Sequence, residues 1–199
     1  MNHQYKIILA SNSPRRKELL AGLDIPFTVR LIDGIREDYP LSMECDQVAE
    51  YIAREKAAAY LASLADDELV ITADTVVICD NRIMGKPRDA ADAVRMLSAL
   101  SGKTHHVVTG VCITTRGRQK SFSVSSSVTF APLSDDEIKY YVDKYQPMDK
   151  AGAYGIQEWI GYIGVTRLEG SYFNVMGFPV QRVYAELKNF LGGNVNIDA

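Results

Sequence analysis

Residues 6–22, KIILASNSPRRKELLAG, form the strand–turn–helix unit that decides the fold class. Lys6–Ala10 is a short apolar strand. Ser13 is a predicted helix N-cap, because its hydroxyl can accept a hydrogen bond from the first helical turn. Pro14 takes the first helical position, where its missing N–H costs nothing. The unit therefore predicts a strand followed directly by a helix, Arg15–Ala21, which ends at the next glycine.

Apolar strands and helices continue to alternate through the first half of the chain. Helices interleaved with apolar strands predict an α/β sheet that is covered on both faces. The predicted elements are the strand Phe27–Leu31, the helix Asp46–Leu64, the strand Leu69–Cys79, the short strand Arg82–Met84 and the helix Ala90–Leu100.

The second half opens with a predicted hairpin, followed by a helix that starts at the capping box Ser134-Asp135-Asp136-Glu137 and runs to about Lys144. No repeat or linker interrupts the 199 residues, which suit one domain or two tightly joined lobes. The other predicted elements are the hairpin strands Thr104–Thr115 and Lys120–Pro132, the strands Tyr162–Leu168 and Tyr172–Val175, and the closing helix Pro179–Phe190.

The overall composition excludes several classes of protein. A net charge of −3 argues against a dedicated nucleic-acid binder, which usually has a strongly basic face. Cys45, Cys79 and Cys112 are widely spaced, so we predict buried free thiols in a reducing compartment. No cationic segment leads into an apolar run at the N-terminus, and no stretch is long enough to span a bilayer. We therefore expect a cytoplasmic location without membrane contact.

Two adjacent histidines do not form a metal site. His105 and His106 lie next to each other in a predicted strand, so their side chains point to opposite faces and cannot chelate one ion together. We interpret both as structural.

Arg15 and Arg16 fall in the first turn of the first helix, where the macrodipole favours acidic residues. They are either solvated surface arginines or part of an anion site, since free N–H groups and guanidinium groups together bind phosphate well. The second hypothesis implies that Arg16→Ala leaves the melting temperature of the empty protein unchanged or slightly raised. It also implies that the variant loses stabilisation by a triphosphate.

Asp74 interrupts ELVITADTVVIC, which otherwise has the composition of a buried strand. A carboxylate there is costly unless a metal or a cation neutralises it, and the alternative to a catalytic role is a simple ion pair with Arg or Lys. Lys56 lies on the apolar face of the second predicted helix, where it either serves the same site or extends to water. Lys86 lies in the loop GKP and alone indicates little.

Together, Arg15, Arg16, Lys56 and Lys86 are four cations from separate elements. A nucleoside triphosphate carries about four negative charges, and it normally binds with Mg²⁺ held by one or two carboxylates. Asp74 and an acid from DGIREDYP, either Glu37 or Asp38, would meet that need. Spacing shows that such a pocket can be built, not that these groups converge.

A series of motifs covering essentially the whole chain resembles, in order, the Maf family of nucleotide pyrophosphatases. The resemblance implies an inosine-triphosphatase-like α/β fold over residues 1–199, with a mixed twisted sheet, helices on both sides and two lobes around a central cleft. It also implies a homodimer that hydrolyses a nucleoside triphosphate to the monophosphate and pyrophosphate. The motifs are LASNSPRRKELL, AREKA, ADTVV, GKPRD, LSGKTHHVVTGV, PMDKAGAYGIQ and GSYFNVMGFPV.

The same resemblance implies a role for individual residues. Asp74 is the implied catalytic aspartate, and Asp74 and Glu37 are the implied ligands of Mg²⁺ or Mn²⁺. The implied phosphate-binding residues are Ser11, Ser13, Arg15, Arg16, Lys56 and Lys86, and the implied specificity positions are Arg15, Thr75 and Gln157.

The segment AGAYGIQ resembles the family branch that acts on dTTP and UTP, whereas the branch acting on 7-methyl-GTP usually has Glu in place of Gln157. A glutamine amide offers both a donor and an acceptor, as the imide edge of uracil or thymine does. The family commonly has Gly at the next position, but this chain has Glu158, which bears on the shape of the base pocket.

Two alternatives to a dTTP/UTP enzyme remain at this stage. One is a 7-methyl-GTP pyrophosphatase. The other is a non-enzymatic regulator of septum formation that binds a partner or nucleic acid. The acidic net charge weighs against nucleic acid, and a binding role gives no reason for Asp74 inside an apolar strand.

Overall fold

Strands and helices alternate along the chain in the computed structural model, which describes residues 5–193 and 195. The strands are β1 (Lys6–Leu9), β2 (Phe27–Val29), β3 (Glu68–Cys79), β4 (Arg82–Met84), β5 (Thr104–Thr114), β6 (Gln119–Phe130) and β7 (Val165–Glu169). The helices are α1 (Pro14–Ala21), α2 (Cys45–Tyr60), α3 (Ala90–Leu100), α4 (Asp135–Tyr145), α5 (Trp159–Gly164), α6 (Tyr172–Val175) and α7 (Val180–Phe190). A short 3₁₀ helix spans Ala151–Ala153.

The strands form one mixed sheet in the order β2-β1-β3-β5-β6-β7, with β4 paired to β3. Strand β1 runs parallel to β2 and β3, as expected where a helix connects neighbouring strands. Strands β4 and β7 run antiparallel to β3 and β6. The predicted mixed α/β fold is confirmed. Within the described residues, no helix is both long and apolar enough to cross a bilayer.

The chain divides into two compact units, and the division falls within β3, β5 and β6. The first unit contains the described residues up to Asp74, Thr109–Val124, and those from Gly177 onward. The second contains Thr75–Val108 and Ser125–Met176. Each unit has a hydrophobic core of its own.

In the first unit, helices cover both faces of the sheet. On β1, Ile7 and Leu9 belong to a core that also contains residues of α1 and α7, whereas Ile8 packs with Tyr60 of α2. Strand β3 repeats this alternation, because successive side chains of a strand point to opposite faces. In the second unit, α3 and α4 supply the fully buried Leu97 and Tyr141 to the core.

Two predicted strand segments are helical, so those predictions are wrong. Residues 162–164 end α5, and Tyr172–Val175 is α6 rather than a strand. At α6 the hydroxyl of Ser171 accepts a hydrogen bond from the N–H of Asn174 (3.2 Å), which caps a helical turn. The buried Asn174 amide donates to the Val107 carbonyl and to the Ser126 hydroxyl, both at 3.0 Å. These contacts override the strand propensity of Tyr, Phe and Val.

Smaller differences concern ends of elements and one thiol. Helix α2 ends at Tyr60 rather than at Leu64, and β2 ends at Val29. Cys79 and Cys112 are buried free thiols as predicted, but Cys45 is only half-buried because it is the first residue of α2.

The two histidines lie on opposite faces of β5, as predicted. His105 is fully buried, and its Nε2 lies 2.7 Å from the hydroxyl oxygen of Tyr154. His106 is exposed, and its Nδ1 lies 3.0 Å from the hydroxyl oxygen of Ser127. His105 therefore belongs to the core of the second unit.

We expect His105 to make the stability of the protein depend on pH. Burial, with a smaller contribution from His106, lowers the pKa of His105 from 6.5 to about 4. Unfolding then takes up a proton within this window, so the free energy of unfolding should fall by up to about 3 kcal/mol as the pH falls from 6.5 to 4. Urea unfolding at several pH values measures this slope. His105→Asn should lose it and His106→Asn should keep it, whereas equal slopes in all three proteins would contradict the assignment.

Candidate functional site

Helix α1 begins as the sequence predicts, with Ser13 as N-cap and Pro14 as first residue. The Ser13 hydroxyl accepts from the main-chain N–H of Arg16 (3.5 Å), and the N–H of Ser13 lies 3.3 Å from the hydroxyl oxygen of the buried Ser11. The first turn contains no acidic residue. The two arginines therefore stand at the positive end of the helix, beside two serine hydroxyls.

The side chain of Arg16 also joins distant parts of the first unit. Its Nε donates to the carbonyl of Gly177 (2.9 Å), and its Nη1 donates to the carbonyl of Ala73 (2.9 Å). Burial lowers the pKa of Arg16, while the Asp74 carboxylate acts in the opposite direction. Arg16 thus connects α1 to Ala73 of β3, and its positive charge interacts with the carboxylate of Asp74.

Because of these bonds, we expect Arg16→Ala to lower the melting temperature of the empty protein, rather than to leave it unchanged or raise it. Truncation removes the donors of two carbonyls on buried residues, so the free energy of unfolding should fall by about 2 kcal/mol. The melting temperature should then fall by about 5 °C. Lys17→Ala is the matched control, because Lys17 is the next residue of α1 and its ammonium donates to the Asn12 side chain at the surface (3.2 Å). Equal melting temperatures of the two variants would show that the Arg16 bonds contribute little.

Lys56 lies between two carboxylates. Its Nζ is 2.8 Å from Oδ1 of Asp74 and 2.7 Å from Oε1 of Glu37. The side chains of Lys56 and Asp74 are each 14% exposed, whereas that of Glu37 is 51% exposed. Lys56 thus contacts the interior acid rather than water, and Asp74 has the ion pair that was the alternative explanation for it. The structure also places Glu37, rather than the exposed Asp38, against this lysine.

Close packing of α2 against the sheet sets the position of Lys56. Ala49, Ala53 and Ala57 form a fully buried face of the helix, and the hydroxyl of Thr72 donates to the carbonyl of Ala53 (2.6 Å). A Cβ on Gly110 would lie 2.3 Å from the carbonyl carbon and oxygen of Ala49. This close approach brings Lys56 to Asp74. It was not predicted from the sequence, where the signals for it are the small side chains of AREKA and the glycine in TGV.

Asp74 and Glu37 supply only part of the oxygen ligands that a hard divalent cation needs. Within residues 5–193 and 195, no group of three or more His, Cys, Asp or Glu side chains could hold a metal ion. Asp74 and Glu37 already share one cationic group, the Lys56 ammonium, so their oxygens can converge on a positive charge. Such a pair fits Mg²⁺ or Mn²⁺ if a bound ligand supplies further oxygens, as triphosphates do.

The remaining predicted residues belong to the second unit. Thr75 follows Asp74 on β3 and is half-buried, and Lys86 is exposed in the loop after β4. The side chain of Gln157 has a buried Oε1 without a hydrogen-bond partner among the described residues. The structure thus brings Ser11, Arg16, Glu37, Lys56 and Asp74 together in the first unit.

Comparisons with known proteins add independent information. A family model described as Maf-like protein matches residues 6–190. The chain is 62% identical to the dTTP/UTP pyrophosphatase of Phocaeicola vulgatus over 93% of this chain and 96% of that protein. It is 59% identical to the dTTP/UTP pyrophosphatase of Parabacteroides distasonis over 94% of this chain and 97% of that protein. The solved structure of the Staphylococcus aureus Ham1 protein matches 91% of this chain and 99% of its own, with 19% identity and a TM-score of 0.47.

Proposed function

The chain belongs to the Maf family, and from this premise we propose that it is a pyrophosphatase that hydrolyses dTTP and UTP to the monophosphate and pyrophosphate. Relatives that are more than half identical over nearly the whole chain have the name dTTP/UTP pyrophosphatase. The observation that carries the proposal is the cluster of Arg16, Lys56, Asp74 and Glu37, which joins cations for phosphate to carboxylates in one place.

We assign the triphosphate to the residues around the start of α1. The serines Ser11 and Ser13 and the side chains of Arg15, Arg16 and Lys56 would bind its phosphate oxygens. Cations around the departing pyrophosphate would stabilise the charge that builds up there, so most of the rate acceleration would be electrostatic.

Asp74 is the proposed base. Its carboxylate would orient a water molecule and take one of its protons while the water oxygen attacks the α-phosphorus. The bond from that phosphorus to the bridging oxygen then breaks, and pyrophosphate leaves with the electron pair. Asp74 and Glu37 would hold a divalent cation, which would supply positive charge beside the α-phosphate.

Gln157 is proposed to contact the nucleobase, together with Thr75 of the same unit. Its unpartnered Oε1 can accept from the imide N–H of uracil or thymine, and its amide nitrogen can donate to a ring carbonyl. A buried amide oxygen without a partner is costly, and a ligand N–H would remove that cost.

Product analysis tests the activity. The protein is incubated with dTTP, UTP, CTP, GTP and 7-methyl-GTP in H₂¹⁸O, with Mg²⁺, Mn²⁺ or a chelator. We expect dTTP and UTP to react fastest, ¹⁸O to enter the nucleoside monophosphate, and pyrophosphate to form in equal amount. Orthophosphate as the first product, or ¹⁸O in the pyrophosphate, would contradict attack at the α-phosphorus. Full activity in chelator would contradict the proposed metal.

We also propose that the protein is a cytoplasmic homodimer. Four large apolar side chains of the second unit are exposed to solvent, and a dimer interface would cover them: Tyr162, Ile163, Tyr172 and Phe173. Light scattering after gel filtration measures the mass, and a mass of 22.1 kDa at all concentrations would contradict a dimer.

A further inference from the structure

Residues 155–158 form a tight turn whose two ends are bound to one hydroxyl group. The main-chain N–H of Glu158 donates to the carbonyl of Gly155 (3.0 Å) and closes the turn. The N–H of Gly155 donates to the hydroxyl of Tyr141 (3.0 Å), and the same hydroxyl donates to Oε2 of Glu158. Tyr141 on α4 therefore holds both the first and the last residue of this turn.

The groups that hold the turn are largely buried. The Tyr141 side chain is fully buried, and its ring stacks on that of Tyr145 at 5.1 Å between ring centres. The second oxygen of the Glu158 carboxylate lies 3.2 Å from Nζ of Lys150, a lysine whose side chain is only 9% exposed. Burial and the carboxylate of Glu158 raise the pKa of Tyr141, so its hydroxyl remains a hydrogen-bond donor.

Two glycines allow close packing around the turn. A Cβ on Gly155 would lie 2.9 Å from Cδ of Glu158 and 3.2 Å from Nε2 of Gln157. A Cβ on Gly161 of α5 would lie 1.8 Å from the carbonyl oxygen of Ile156. Glycine at 161 is therefore required for α5 to pack on the turn, whereas a side chain at 155 would displace the side-chain ends of Glu158 and Gln157.

Gln157 lies inside this turn, and its amide is the group that would recognise the base. An amide selects between ligands only if it is held in one orientation before the ligand arrives, since an ordering cost on binding would offset the hydrogen bonds gained. Among the described residues, no hydrogen-bond donor holds Oε1 of Gln157 in place. The backbone of the turn and the packing around it therefore determine where this oxygen lies.

We propose that Tyr141, Lys150 and Glu158 are positioning residues for substrate specificity: they fix the turn so that the Gln157 amide faces the base in a single orientation. The inference rests on the proposed function. Tyr141 and Lys150 act through Glu158 and the turn and do not contact the substrate themselves.

A pair of single-hydroxyl deletions tests the proposal. Tyr141→Phe removes the hydroxyl that holds the turn, whereas Tyr140→Phe removes the hydroxyl of the preceding residue of α4, which accepts from the Lys144 ammonium at the surface (2.7 Å). For Tyr141→Phe we expect the KM for dTTP and UTP to rise about tenfold with kcat within about twofold, because Gln157 would bind the base equally in the ground and transition states. The ratio of kcat/KM for UTP to that for GTP should fall about tenfold, and Tyr140→Phe should keep the wild-type ratio.

The ratio separates positioning from a general effect on folding. An unchanged ratio in a folded Tyr141→Phe protein, or an equal loss with all nucleotides, would overturn the proposal. Glu158→Gln and Glu158→Ala give a second measurement should Tyr141→Phe fold poorly: Gln can still accept from Tyr141 and should keep most of the selectivity, whereas Ala should lose it. Equal selectivity of these two variants and wild type would also overturn it. A wild-type protein that does not prefer UTP to GTP would instead contradict the proposed function.

Discussion

Asp74→Asn is expected to lose at least 99% of the hydrolysis of dTTP and UTP while the protein stays folded. An amide cannot accept the proton of the attacking water, and a general base typically contributes about 10²–10⁴-fold to the rate. The substitution preserves the shape of the side chain, and its amide oxygen can still accept from the Lys56 ammonium, which also keeps its ion pair with Glu37. Steady-state kinetics on dTTP and UTP, with thermal unfolding of the same samples, measures both effects.

The matched control is Asp66→Asn. Asp66 is an exposed carboxylate of the same unit whose partner is Arg116 at the surface, so its loss should leave kcat within about twofold. If Asp74→Asn keeps more than about a tenth of the wild-type kcat, Asp74 is neither the base nor an essential metal ligand. It would then act only as the counter-ion of Lys56.

Gly110→Ala is expected to damage both stability and activity. The added Cβ would lie 2.3 Å from the main chain of Ala49, a distance that no rotamer change can relieve, so α2 must move away from the sheet. The free energy of unfolding should fall by about 3 kcal/mol or more. Because α2 carries Lys56, a shift of about 1 Å should also separate its ammonium from Asp74 and lower kcat by about 100-fold.

The control for this variant is Gly117→Ala. Gly117 lies in the turn between β5 and β6, and nothing lies within 4 Å of the Cβ that the substitution adds. Its melting temperature and kcat should equal those of the wild type. Should Gly110→Ala match it in both measurements, the close approach of α2 to the sheet would have no role in placing Lys56.

Elements with strong local signals could be predicted from the sequence. The bounds of α3 were predicted correctly, because Asp89 caps it by accepting from the N–H of Asp92 (2.7 Å). The start of α1 at Ser13 and Pro14 and the capping box of Ser134 and Glu137 were also correct for the same reason. In each case the residues that specify the end of the element are its own neighbours in the chain.

Elements that depend on distant contacts could not be predicted. The sequence YFNV has the composition of a strand, and it is helical because Asn174 bonds to Val107 and Ser126, which are more than 45 residues away. The same limit applies to Arg16, whose bonds to Ala73 and Gly177 join parts of the chain that no local pattern connects. These two bonds of Arg16 could therefore not be predicted.

The residues of the candidate site could be identified from the sequence, but the ion pairs between them could not. Asp74 and Lys56 each stand out on an apolar strand or helix face, so the sequence alone identifies both. The choice of Glu37 over Asp38 depends on the irregular segment between β2 and α2, where no periodicity indicates which side chain contacts Lys56. The ion pair of Lys56 with both acids is a result of the fold.

The Lys56 ammonium is a cation tethered to the protein, and it competes with the proposed divalent ion for the same two carboxylates. A tethered group has an effective concentration on the order of millimolar or higher, which a free ion must exceed to displace it. A triphosphate changes this competition, because its oxygens give the ammonium a new partner while they supply further ligands to the ion. The arrangement would therefore favour metal and nucleotide entering together over metal loading alone, and without ligands the lysine offsets one of the two negative charges.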